Sequence, residues 1–153
     1  MNTNFFNKRL AHSLGFAGLI PFIFLSLACW IVHPDWLGTV IKGQLAYGIA
    51  ILSFLGGIHW GAAMTCPQLT IGQTKRALIW GVTPSLIALL AAKLILGLGF
   101  TVLVAGFIAA YQVDKRLYVW YRIPAWFIGL RLKLTCVVVA SLLLTFAAAN
   151  LRA

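Results

Sequence analysis

Polar residues in this chain fall in short clusters, and the stretches between them are almost wholly apolar. Five such stretches stand out, at 12–32, 44–64, 77–95, 98–113 and 132–149. A helix rises about 1.5 Å per residue, so about 20 residues cross a hydrocarbon core of about 30 Å. The first three stretches reach that length comfortably, while 98–113 is short unless it continues past Asp114. Gly97-Leu98-Gly99 alone separates the third from the fourth, which predicts a helical hairpin with Lys93 snorkelling beside its turn. The pattern therefore predicts an all-α polytopic membrane protein. It forms a single transmembrane domain over 1–153, a bundle of five helices with a short interfacial segment between helices 4 and 5.

Composition removes the soluble alternative. Of the 153 residues, 62% are hydrophobic and only 9% charged, against about 45–50% and about 25% in ordinary soluble domains. A water-soluble fold of this size could not present a polar exterior with so few polar residues. The formal charge of +10 rests on 12 basic residues against two acids, namely Asp35 and Asp114. Because the cations flank apolar runs rather than forming one basic face, they point to membrane topology and not to nucleic acid. With the amino terminus inside, nine of them (Lys8, Arg9, Lys75, Arg76, Lys115, Arg116, Arg122, Arg131 and Lys133) lie on inside segments. Lys42, Lys93 and Arg152 lie outside. That bias predicts a cytoplasmic amino terminus and an external carboxyl terminus. The first apolar run is longer than a signal-peptide core and is followed by no small-x-small cleavage pattern, so it reads as a permanent span in a bacterial inner membrane. Cys29, Cys66 and Cys136 are isolated, with neither disulfide nor metal spacing.

The connection from Asp114 to Leu130 departs from the rest. Tyr118, Trp120, Tyr121, Trp126 and Phe127 are interleaved there with Lys115, Arg116 and Arg122. Such a segment is too charged to cross lipid and too aromatic to leave it. It is expected to lie along the interface, with Pro124 dividing it. Lys115, Arg116, Tyr118, Trp120, Arg122 and Trp126 are the expected anchor, or the contacts of a lipid head group or a partner.

Inside the spans, a few residues need a reason to be there. His59 lies deep in the second span, where a titratable side chain must be neutral or partnered. A neutral imidazole bonded to a neighbouring helix, a ligand or quinone contact, and haem ligation are all open to it. Ser53, Gly57 and Gly61 recur every four residues, a small-residue stripe expected to pack against another helix. His59 lies nearly opposite that stripe, so the second span should pack on two sides. Asp114 and Arg131 fall at one membrane boundary and are expected to pair, pinning the fourth span to the fifth, or else to clamp a ligand. His59, Trp60, Asp114 and Arg131 are thus the candidate ligand-binding residues. Pro21 and Pro84 should kink the first and third spans.

Recognised catalytic patterns are missing. No carboxylate pair shares a face for acid–base work, and the chain contains no Ser-His-Asp order, phosphate loop or zinc motif. No catalytic or metal-ligating residue is expected, and five spans fit an inverted-repeat transporter poorly.

Four segments carry a family resemblance: Gly15–Phe22 (GFAGLIPF), Ala46–Gly61 (AYGIAILSFLGGIHWG), Trp80–Leu86 (WGVTPSL) and Pro124–Thr135 (PAWFIGLRLKLT). Together they resemble the transmembrane protein 69-like family of bacterial and mitochondrial inner-membrane proteins, grouped as a domain of unknown function. The resemblance implies about five helices and supplies no activity, substrate or cofactor. The recurring residues it marks are Pro21, Gly56, Gly57, Trp60, Gly61, Pro84, Pro124, Trp126, Arg131 and Thr135, with His59 in the same motif. The expected function is a non-catalytic accessory or assembly subunit of a larger membrane complex, respiratory or otherwise energy-transducing, with membrane lipids around it. A quinone-, lipid- or haem b-binding protein with a cytoplasm-facing pocket is the alternative, and a small transporter the third.

Overall fold

The computed structural model describes residues 3–152, with side chains from Lys8 onward. Six helices follow one another: α1 (Thr3–Ala17), α2 (Ile20–Ile31), α3 (Pro34–Thr65), α4 (Ile71–Lys93), α5 (Leu96–Trp120) and α6 (Ala125–Arg152). Five segments are long and apolar enough to cross a membrane, the first of them running through both α1 and α2. The predicted five-span all-α bundle is therefore the observed fold.

The first span is broken, and Pro21 accounts for the break. It sits in the opening turn of α2, where its missing N–H is harmless, but its ring cannot follow a continuing helix. The chain turns through Gly18 and Leu19. α3 then satisfies carbonyls of the broken span: the Tyr47 hydroxyl donates to Gly18 at 2.9 Å and Gln44 Nε2 donates to Phe22 at 3.2 Å. Polar groups released inside lipid need such partners.

Helix boundaries run past the apolar windows wherever capping permits. α3 begins ten residues before Gln44, because His33 is extended ahead of Pro34 and the proline starts the helix. Leu37 and Ile41 are buried along this added stretch, so it is packed. α4 starts at Ile71 behind a reciprocal cap in which Thr70 and Gln73 satisfy each other's backbone N–H. The hairpin turn falls at Leu94–Ile95, and Gly97 and Gly99 belong to the first turns of α5. A Cβ at Gly99 would come within 2.7 Å of the Ala91 carbonyl, so the glycine serves close packing here.

The interfacial segment is shorter than expected. α5 carries on through Asp114, Lys115, Arg116, Tyr118 and Trp120, and α6 already includes Trp126. Only Tyr121–Pro124 connects them, turned by Arg122 at φ 53°. Apolar neighbours on the inner face, Leu117 among them, keep the helix wound where the charges alone suggest its end.

α3 is the central helix, touching α2, α4, α5 and α6. Its closest approach is to α4, but through Gly56 and not the predicted stripe. A Cβ on Gly56 would collide with the Gly81 carbonyl, while Pro84 packs beside it. A Cβ on Gly57 or Gly61 would meet nothing within 4 Å. The Ser53–Gly57–Gly61 stripe lies one residue round the helix and faces away from the bundle, which corrects its expected packing role within this chain. At the far end, the Arg152 guanidinium donates to the carbonyls of Cys29 and Val32, tying α6 to the last turn of α2.

Candidate functional site

Three elements converge near the end of the bundle where α3 and α5 finish and α6 begins. His59 lies nearly two turns before the end of α3, Asp114 on the final turns of α5, and Arg131 in the second turn of α6. Their side chains are 1%, 3% and 6% exposed. Arg131 donates to Asp114 Oδ2 twice, from Nε at 3.0 Å and Nη2 at 2.6 Å. Asp114 Oδ1 faces His59 Nε2 at 2.8 Å, and the far side of the ring meets the Tyr121 hydroxyl, Nδ1 to oxygen 3.2 Å.

The network itself assigns the protons. A carboxylate held by a guanidinium is an acceptor only, so His59 Nε2 carries the hydrogen and donates it to Oδ1. In the neutral ring Nδ1 then holds the lone pair and accepts from the Tyr121 hydroxyl. Burial, reinforced by the adjacent Cys66 thiol and the Asp114 carboxylate, pushes the Tyr121 phenol up to about 12, so it keeps the proton it donates. The formal charges of Arg131 and Asp114 cancel. Four side chains from three helices and one turn thus form a closed chain of hydrogen bonds in a medium that punishes open ones.

Tyr118 stacks against His59 with ring centroids 5.7 Å apart, and it is buried together with Leu117, Tyr121, Ala63 and Ala77. Its expected place among the interfacial anchors is corrected accordingly. Trp60 is also elsewhere: its Nε1 donates to the Leu78 carbonyl at 3.0 Å and its ring lies over Gly81. One step along a helix is about 100°, enough to send it to α4 while its neighbour faces α5. Lys115, Arg116 and Arg122 are exposed, and Trp120 is half-buried beside Tyr118. Trp126 stacks on His12 at 5.4 Å, with the Lys8 ammonium 5.9 Å from its ring centre.

Tyr121 is the partner that sequence reasoning left among the interfacial aromatics. Asp114, Tyr118 and Tyr121 are spaced i, i+4, i+7, the signature of one helical face. That signal becomes visible only once α5 is allowed to run past Val113. Thr135, one turn after Arg131 on α6, is buried too, and its hydroxyl has no hydrogen-bond partner. Both ring nitrogens of His59 are engaged within the network, and His12 Nδ1 lies 2.8 Å from the Lys8 carbonyl with its ring stacked on Trp126.

A five-span bundle with a buried, charge-balanced Arg–Asp–His–Tyr chain at one end is an integral membrane protein of the multi-pass helical class. Residues 7–147 match the family described as a protein of unknown function (DUF3429), and the chain belongs to that family. It is 36% identical over 144 residues to transmembrane protein 69 of Xenopus tropicalis. The match covers 84% of this chain and 50% of that relative, so the chain spans about half the length of the curated protein it resembles. No solved structure matches it.

Proposed function

We propose that the chain is a non-catalytic accessory or assembly component of a larger membrane complex, docked through the outward face of α3. One observation carries this reading. Ala46, Ala50, Gly57 and Gly61 are exposed, with half-buried Ser53 among them, at spacings of three or four along one side of the helix. The strip runs about 22 Å along the axis, and none of the described residues packs over its two glycines. Each glycine in a helix interior costs about 1 kcal/mol relative to alanine, and lipid chains gain nothing from the flat surface it leaves. A second helix does gain, because small side chains admit backbone-to-backbone approach. The occupant is a transmembrane helix of a different protein.

Sizing native membranes solubilised in mild detergent tests this. The chain should migrate with an unlike protein, and a Gly57→Leu/Gly61→Leu variant should lose it while keeping its own melting temperature. A lone monomer, or a dimer of this chain only, would overturn the proposal. We further propose a bacterial inner membrane with the amino terminus in the cytoplasm, an orientation that the nine-to-three distribution of Lys and Arg supports. Reporters fused to the two ends should light up in opposite compartments.

A further inference from the structure

The break in the first span has a second consequence. Under it lies a cavity of about 200 Å³, walled by Gly15 and Gly18 of the break, Phe22 of α2, Phe107 of α5, and Arg131 and Thr135 of α6. Its lining is otherwise hydrocarbon. At its rim, Leu14 and Phe54 are 64% and 68% exposed, so the mouth opens sideways between the first span and α3, where lipid chains would be.

Two polar side chains on its wall stand out. Thr135 is 6% exposed, and its Oγ1 has no hydrogen-bond partner. A hydroxyl buried in this way forfeits the bond it would make in water, and usually marks a place where something else supplies the partner. Arg131 is 5% exposed and turns Nε and Nη2 toward a single oxygen of Asp114. The cavity therefore offers one unpartnered hydroxyl inside an apolar pocket, beside a guanidinium already committed to Asp114.

Charge decides which acceptor fits. Arg131 is already neutralised by Asp114, whose other carboxylate oxygen is met by His59 Nε2. A phosphate or fatty-acid carboxylate would bring an uncompensated negative charge into a low-dielectric site and would pull Arg131 away from Asp114. A carbonyl oxygen carries no net charge and can accept from Thr135 without breaking the ion pair. We propose that this cavity binds a neutral amphipathic molecule, an isoprenoid quinone or a neutral acylglycerol, with a carbonyl oxygen toward Thr135 and Arg131 and its chain leaving between Leu14 and Phe54. The cavity lies on the side of α3 that meets the first span, and only Phe54 at its mouth borders the α3 docking face.

The full chain in lipid nanodiscs, titrated by calorimetry with a decyl-substituted benzoquinone, tests the assignment. Decane and decyl phosphate serve as probes of equal chain length. The quinone should bind saturably at one site, and more tightly than either comparison probe. Thr135→Val keeps the side-chain shape and removes the hydroxyl. It should weaken quinone binding about fivefold, the worth of one hydrogen bond, without lowering the melting temperature, because the hydroxyl has no partner in the fold. Val138 lines the same cavity, and Val138→Phe should fill it and abolish binding. Organic extraction of protein purified from native membranes separates the two natural sources, quinone by its ultraviolet spectrum and acylglycerol by mass. Non-saturable uptake, equal affinity for decane, tighter binding of decyl phosphate, or full quinone affinity in Thr135→Val would each overturn the proposal.

Discussion

α3 holds its neighbours in two opposite ways. Against α4 it removes side chains altogether, so that Gly56 and Gly81 bring two backbones together. Against α5 and α6 it contributes a polar side chain, His59, to a buried ion pair. Neither device relies on apolar surface, and the reason is the solvent. Leucine is as comfortable against an acyl chain as against another leucine, so hydrocarbon alone cannot tell α3 which helix to choose. Backbone proximity and charge pairing are contacts that lipid cannot imitate, and each selects one partner.

The ionic side should be the more sensitive. Asp114→Ala strands Arg131 and His59 without their acceptor and is expected to destabilise the bundle by about 3–5 kcal/mol, read by thermal or denaturant unfolding in detergent. Pairing Asp114→Leu with Arg131→Met should recover most of that loss, because an apolar replacement leaves no charge behind. A double variant as unstable as the single one would mean that the pair contributes more than mutual neutralisation.

The glycine side comes next. Gly56→Ala forces α3 and α4 apart against the Gly81 carbonyl and should cost about 1–3 kcal/mol. An effect below that range would show the two helices to be loosely set. Tyr121→Phe is milder, about 1 kcal/mol for one lost hydrogen bond to His59. It also has a pH signature. A phenol raised from about 10 unfolded to about 12 folded lends stability that is complete below about pH 10. That stability is lost as pH climbs toward the folded value. The gap in melting temperature between wild type and Tyr121→Phe should therefore be constant through neutral pH and close in strong alkali. A gap that widened above pH 10 would contradict the assigned proton. Smallest of all is Gly57→Ala, one residue from the sensitive position. It should leave the isolated chain unchanged or firmer by up to about 1 kcal/mol, since nothing described lies over it.

The spans and the Asp114–Arg131 pair were legible in the sequence because each rests on a large, local energy: apolar length in one case, an intramembrane charge in the other. His59 was singled out on the same ground, as a titratable group at depth. Helix ends were not legible, since hydropathy marks where lipid is, whereas Pro34, the Thr70 cap and the packed face around Leu117 decide where winding stops. Nor was the working glycine. Gly56 and Gly57 are adjacent and chemically identical, and only the crossing of α4 distinguishes them. Trp60 and Tyr121 exchanged places for a related reason, because a site residue is chosen by the angle at which its helix presents it.

The bond from Arg152 to the carbonyls of Cys29 and Val32 joins the last turn of α6 to the last turn of α2. The kinked part of the first span finds its partners on α3, through Tyr47 and Gln44, whereas the end of α2 is fastened only when α6 is present. The same helix delivers Arg131 to Asp114, so both fastenings depend on α6. Chains cut before α6 should therefore be more open to protease than chains that include it.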